Sequence, residues 1–271
     1  MYRRKDETWV RFNPGTPVPI AMTIFATTLQ TTDGIQLLAA IRTPSKAPVG
    51  GVILAHGFCG GKDQPEVVAL ADALCERGYA VVTYDARGHG RSGGECTLGD
   101  AEHFDVAAAV ELANETAGRI VVAGASMGGI SVMRYAVRDP SLAAVVTVSA
   151  PAVWQVPRTA RGACSVVLTR TPLGRWVTRH QLSVRVCRER PRGDAPVALA
   201  ARLSRPLAVV HGTADRFVPA GQARLLYAAA AGASRLTLVP GMGHAYRMDA
   251  VAPVLDAVEW GFAQPRDLVT A

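Results

Sequence analysis

Several things are missing from this 271-residue sequence, and each absence removes a class of protein. Its five cysteines, Cys59, Cys75, Cys96, Cys164 and Cys187, are odd in number and scattered, without CxxC spacing. Neither a disulfide framework nor a zinc site is indicated, and reduced thiols in a cytoplasm are the expectation. No uninterrupted apolar run approaches bilayer-spanning length, and the opening MYRRKDETWVRFNPGTPVP has charges but no apolar core of the kind that directs export. A soluble chain that is not exported is therefore expected. There is no repeat of fixed period, and no recognised nucleic-acid-binding module accompanies the basic charge, so nucleic acid is not an expected partner.

What remains is a chain 49% hydrophobic, enough for one sizeable core and too short for two ordinary domains. Short apolar runs at Met22–Leu29, Ile35–Arg42, Gly51–His56, Tyr79–Asp85, Arg119–Gly124, Ala143–Ser149, Leu207–His211 and Arg235–Val239 predict eight strands. The first two, joined by TTDG, predict a hairpin. Helical spacing follows at about 64–77, 100–117, 127–138, 220–231 and 249–263. Strand, helix, strand in alternation implies an α/β fold, a mostly parallel sheet with helices on both faces. Residues 152–204 break the rhythm between two strands that a short loop would otherwise join, and are expected to form an inserted helical cap, or lid, on a single domain spanning 1–271.

One hydroxyl stands out against this pattern. In VVAGASMGGISVMRYA, Ser126 sits between Gly124 and Gly128 where a β-branched run gives way to helical spacing. A turn that tight forces strained angles on its central residue and small neighbours on either side, which leaves the side chain at the tip. An N-cap serine in an ordinary strand-to-helix turn is the plainer reading; the G-x-S-x-G nucleophile elbow is the functional one. A serine nucleophile needs a base and an acid to orient that base. His244, in VPGMGHAY after the last strand, is the candidate base, while His56 and His211 precede glycines at strand ends and could simply pack against the turns. Asp215, in HGTADRFVP after the seventh strand, is the candidate acid; the end of the sixth strand, VSAPAV, offers no carboxylate.

Ser126, Asp215 and His244 occur in the chain order of an α/β-hydrolase. With HGFCGGKDQ, YDARGHGRSGG, GASMGG, HGTADRFVP and GMGHA in that order, the sequence resembles the lipase, esterase and peptidase-like members of that superfamily over about residues 25–150 and 205–263. The resemblance implies the α/β-hydrolase fold and a cofactor-free, metal-free serine hydrolase acting on a carboxylic ester through an acyl-enzyme. It also implies an oxyanion hole made by the backbone N–H groups of Phe58 and Met127. Asp85, Arg87, His89 and Arg91 lie on a loop that braces the site in that family. Acyl transfer or thioester cleavage on a carrier- or CoA-linked acyl group is the nearest alternative, and a non-catalytic ligand-binding hydrolase fold is another. Ser126 itself excludes a nucleophilic aspartate.

The insertion is where the resemblance fades. Residues 152–200 carry nine arginines against Glu189 and Asp194, a local net charge of +7 (9 − 2) equal to that of the whole chain. TPLGRWVTRHQL predicts a helix capped by Thr171 with Pro172 first, Leu173, Trp176, Val177 and His180 on one face and Arg175 with Arg179 on another. Trp154, Trp176, Arg175 and Arg179 are the candidate substrate contacts. The arginines form either a solvated face or an attraction for an anionic partner: a carboxylate-bearing ester, a phosphopantetheine-linked acyl group or an acidic lipid surface. Substrate ammonium groups, as in aminopeptidases, would need more acid than Glu189 and Asp194 supply.

Overall fold

A computed structural model describes residues 2–5, 8–11, 22–154, 160–189 and 193–265. The central sheet has ten strands among these residues: β1 (Tyr2–Lys5), β2 (Thr8–Arg11), β3 (Thr23–Gln30), β4 (Gln36–Thr43), β5 (Gly50–Ala55), β6 (Tyr79–Tyr84), β7 (Ile120–Ala125), β8 (Ala144–Val148), β9 (Leu207–Gly212) and β10 (Ser234–Val239). Their order is β1-β2-β3-β4-β6-β5-β7-β8-β9-β10. From β1 to β6 neighbouring strands run antiparallel, and from β6 onward all are parallel. The eight expected strands are β3 to β10. The two N-terminal ones were not expected, because YRRK is dominated by charge and TWVR is too short to carry an apolar run.

Strands β5 to β9 are β-branched, with every residue buried, as strands covered on both faces must be. One face is covered by helices α1 (Pro65–Glu76) and α8 (Val251–Ala263), whose Leu70, Leu74, Val254 and Val258 pack on Val52, Val121, Val146 and Val210. The other face is covered by α2 (His103–Asn114), α3 (Met127–Ala136), α6 (Pro196–Ala200) and α7 (Gly221–Ala229), whose Val106, Met133, Leu199 and Leu226 pack on Ile53, Val122, Val145 and Val209. Each buried Val or Leu contributes about 1.5–3 kcal/mol of transfer free energy. The β3–β4 hairpin turns at Thr31–Gly34, where Gly34 takes φ +86° and the Ile35 N–H donates to the Thr31 hydroxyl.

Between β8 and β9 lie α4 (Ala160–Arg170), α5 (Pro172–Gln181) and α6. Helix α5 has the expected start, with Pro172 first and the Thr171 hydroxyl accepting the Gly174 N–H at 2.9 Å. Helix α4 was not expected: ARGACSVVLTR places Ala160, Ala163, Cys164, Val167 and Leu168 at helical spacing, but three of those five are small and the apolar signal is weak. The chain leaving α5 is stitched to the loop after β6. Val184 bridges to His89 and Val186 to Cys96, and the Arg185 guanidinium donates to the carbonyls of Gly90, Ser92 and Gly94. No helix among the described residues is long and apolar enough to cross a membrane.

Candidate active site

Ser126 joins β7 to α3 at φ 52°, ψ −111°, a conformation that costs a non-glycine residue about 1–3 kcal/mol. Its surroundings over-determine it. The Ser126 N–H donates to the Val148 carbonyl at 2.8 Å, and the Ser126 carbonyl accepts the Ile130 N–H at 3.3 Å. A Cβ on Gly124 would collide with the Gly128 carbonyl, and one on Gly128 with the Ala55 carbonyl, so strand, turn and helix approach as closely as they do only because both are glycine. The hydroxyl stands at the C-terminal edge of the sheet, on a helix N-terminus.

Two other loops at that edge reach it. The Ser126 Oγ lies 3.0 Å from His244 Nε2, and His244 Nδ1 lies 2.8 Å from Asp215 Oδ2. With Nδ1–H donating to the carboxylate, the Nε2 lone pair is free to accept the serine hydroxyl. Asp215 is held by its own loop: Oδ1 accepts the Phe217 N–H at 2.8 Å and the Val218 N–H at 2.9 Å. Burial, the largest influence, raises the Asp215 carboxyl, but the His244 hydrogen bond and charge and the two amides outweigh it and hold the group below its ordinary value. The loop carrying His244 is fastened to the loop carrying Asp215 by Gly241 N–H to Thr213 Oγ1 at 3.0 Å and Ala214 N–H to the Met242 carbonyl at 3.0 Å. The Phe217 ring lies 5.1 Å from that of His244. This arrangement can accept a proton from Ser126 as its oxygen attacks, and hold the imidazolium that results.

His211 is one of the two histidines, with His56, that the sequence left with packing alone. It is fully buried, donates Nε2–H to the Val218 carbonyl at 2.8 Å, and sits 3.5 Å from Asp215 Oδ2. It thus ties the end of β9 to the far side of the loop that presents the acid. Neither His211 nor Phe217 carries a spacing signal; only their closeness to Asp215 in HGTADRFVP could have pointed to them.

On the other side of the elbow, the loop after β5 holds Phe58 and passes close to Ser126, since a Cβ on Gly57 would lie 3.3 Å from the Ser126 Cβ. The Met127 amide is the first of α3 and has no carbonyl within the helix to donate to. Two buried imidazoles fix the Phe58 loop. His56 donates Nδ1–H to the Gly57 carbonyl at 2.8 Å and accepts the Ala86 N–H on Nε2 at 2.9 Å. His89 donates to the Arg87 carbonyl at 3.1 Å and accepts the Cys59 N–H at 3.3 Å, and the two rings meet edge to face at 4.8 Å. Burial pushes both down to about 4, so each stays a neutral brace with one defined tautomer. Burial also pushes the Cys59 thiol up to about 11, away from reactive thiolate character. Asp85 accepts the Lys62 N–H, and Arg87 joins Asp105 and Asp33, while Arg91 is exposed. All five cysteines are free thiols.

The candidate contacts of the insertion lie on the chain after β8 and on α5. Trp154 follows β8, next to the elbow strand, and is partly exposed at 37%. Trp176 is 54% exposed on α5, with its ring against His180 at 5.0 Å, and the Arg175 guanidinium donates to the Arg170 carbonyl at 3.2 Å. Among the described residues, no hydrogen bond or ring contact joins Arg175, Trp176 or Arg179 to Ser126, Asp215 or His244.

A family profile described as serine aminopeptidase, S33, matches residues 46–195. That match reaches into the insertion as far as residue 195, where the resemblance read from motifs fades, and ends before Asp215 and His244. A monoacylglycerol lipase of Mycolicibacterium smegmatis is 31% identical over 250 residues, covering 78% of this chain and 86% of that one. Among solved structures, an esterase from Pyrococcus furiosus has a TM-score of 0.66 at 22% identity, covering 88% of this chain and 87% of its own. Est1E from Butyrivibrio proteoclasticus, solved with ferulic acid bound, has a TM-score of 0.64 at 23% identity, covering 87% of this chain and 97% of its own. At these identities the two structures show the fold.

Proposed function

Since the chain belongs to the serine aminopeptidase S33 family of α/β-hydrolases and is an ester hydrolase of the carboxylesterase and lipase type, we propose that Ser126, His244 and Asp215 are its catalytic triad. The observation that carries this reading is the unbroken chain Ser126 Oγ, His244, Asp215, at 3.0 and 2.8 Å. Ser126 attacks the ester carbonyl while His244 Nε2 takes its proton; His244 then passes that proton to the leaving alcohol, and the acyl group stays on Ser126. A water, deprotonated by the same nitrogen, releases the acid. The N–H groups of Met127 and Phe58 receive the developing oxyanion, a contribution of about 3 kcal/mol each to lowering the barrier. Trp154, on the chain that follows β8, is our candidate wall of the acyl site.

The substrate class that fits best is a small single-chain ester of the monoacylglycerol kind, on the strength of the 31% identical relative. Five free thiols support a reducing, cytoplasmic location. The deciding experiment combines labelling by a fluorophosphonate with a substrate panel of p-nitrophenyl esters, acyl thioesters and a monoacylglycerol. Labelling that is lost in Ser126→Ala and hydrolysis of the glycerol ester support the reading. Labelling that survives the substitution moves the nucleophile elsewhere, and preferred cleavage of thioesters replaces the substrate class.

A further inference from the structure

Helix α5 is turned the wrong way round for a helix that packs on a core. Its buried residues are Gly174 and Thr178, and Gly174 meets α4 so closely that a Cβ there would collide with the Val167 carbonyl. At 3.6 residues per turn, Leu173, Trp176, Val177 and His180 fall within an arc of roughly 100° on the far side. That apolar side faces outward: Leu173 is 71% exposed and Trp176 54%. Val167 on α4 and Leu182 just beyond α5 add further exposed apolar surface. Around it, residues 163–189 carry Arg170, Arg175, Arg179, Arg185 and Arg188 against Glu189, a net of +4 (5 − 1). A solvated helix hides its apolar side and shows its charges; this one shows both together.

We propose that this face of the α4–α5 hairpin seats the enzyme on an anionic phospholipid surface. Leu173 and Trp176 enter the boundary between headgroups and acyl chains, and Arg170, Arg175, Arg179 and Arg188 meet lipid phosphates, as in interfacial amphipathic helices. Charge selects this occupant over a second copy of the chain. A two-fold contact through the same patch would bring the two sets of arginines together. The proposal stands apart from the choice of substrate, since it concerns where the enzyme sits and not which bond it cleaves.

The test is flotation of the purified protein with vesicles of phosphatidylcholine alone and of an equimolar phosphatidylcholine–phosphatidylglycerol mixture. Binding to the mixed vesicles only, weakened by added salt, is the expected result. Changing Arg175 and Arg179 together to Ser should weaken it by roughly 30-fold, at about fivefold per arginine. Leu173→Asp should abolish it with the melting temperature and hydrolysis of a soluble acetyl ester unchanged, since Leu173 touches neither core nor site. Failure of the protein to bind mixed vesicles at low salt overturns the proposal. So does equal binding by the variants and the parent, or a dimer that Leu173→Asp dissociates in the absence of vesicle binding. Were Leu173→Asp to raise KM for long-chain esters alone, without any vesicle binding, the face would belong to the acyl passage and the proposal would also fall.

Discussion

The loops under Ser126 and the helical hairpin of the insertion are both made of turns and short helices at one edge of the same sheet, yet they are held in opposite ways. Under the serine, His56, His89, Asp85 and Arg87 are each fixed by hydrogen bonds to backbone or side-chain partners, and both imidazoles are buried. In the hairpin, α5 buries only Gly174 and Thr178, and its largest apolar side chains are exposed. The first region is built so that a nucleophile and its donors keep their geometry through a reaction that tolerates errors of only a fraction of an ångström. The second has few contacts to lose, which suits a surface that meets changing partners.

If that contrast is right, substitutions in the two regions should differ by orders of magnitude on a soluble ester. The largest effect expected is from Ser126→Ala: kcat should fall by about 10⁶ in steady-state assays, with little change in the melting temperature. Asp215→Asn should follow, at about 10⁴ in kcat, because an amide presents the wrong partner to His244 Nδ1. A hairpin substitution such as Leu173→Asp that cost as much on the same ester would break the contrast.

A pH titration of stability sharpens it. His56 and His89 take up protons near the ordinary 6.5 when unfolded but only near 4 when folded. Between those values the unfolded chain binds more protons, so stability is complete above about pH 6.5 and falls as pH drops toward 4. Two such groups set an upper figure of about 3 kcal/mol each, read from denaturant midpoints across that window. A flat profile from pH 7 to 4 would mean that the braces are not buried and neutral. The smallest effect expected is from Trp176→Ala, within about 0.5 kcal/mol of the parent in the same denaturant assay, since most of the indole is in water. A loss of several kcal/mol would show that the hairpin folds down onto the core in solution.

The two regions also differ in how far the sequence discloses them. The strands β3 to β10 and the five helices flanking them are legible because each must bury apolar side chains at a fixed period, and the elbow because Gly124 and Gly128 have no substitute. Ser126, Asp215 and His244 were singled out by where an α/β sheet puts its strand ends. In the insertion, the stripe of Leu173, Trp176 and His180 was plain, but its direction was not. A stripe says that one side is apolar; it does not say that the close approach of Gly174 to Val167 will turn that side outward. Helix α4 stayed hidden because the residues at its helical spacing, Ala160, Ala163, Cys164, Val167 and Leu168, are mostly small, and β1 and β2 because YRRK and TWVR are too short to show an apolar run. His211 was visible only as a strand-end residue, since its bond to the Val218 carbonyl joins groups whose meeting depends on the loop between them.

The seam made by Arg185 carries one more consequence. Its guanidinium collects three carbonyls from the loop after β6, and Val184 and Val186 extend that loop as a short ladder, all downstream of the hairpin. The attachment therefore belongs to a stretch of five residues, 183–187, and not to the helices it supports. Residues 163–182 form a cassette: they could be lengthened, shortened or exchanged for another sequence while the seam and everything beneath it remain as they are. Diversification of such an enzyme then needs no compromise between keeping its chemistry and changing its company, because the two are written in separate segments of the chain.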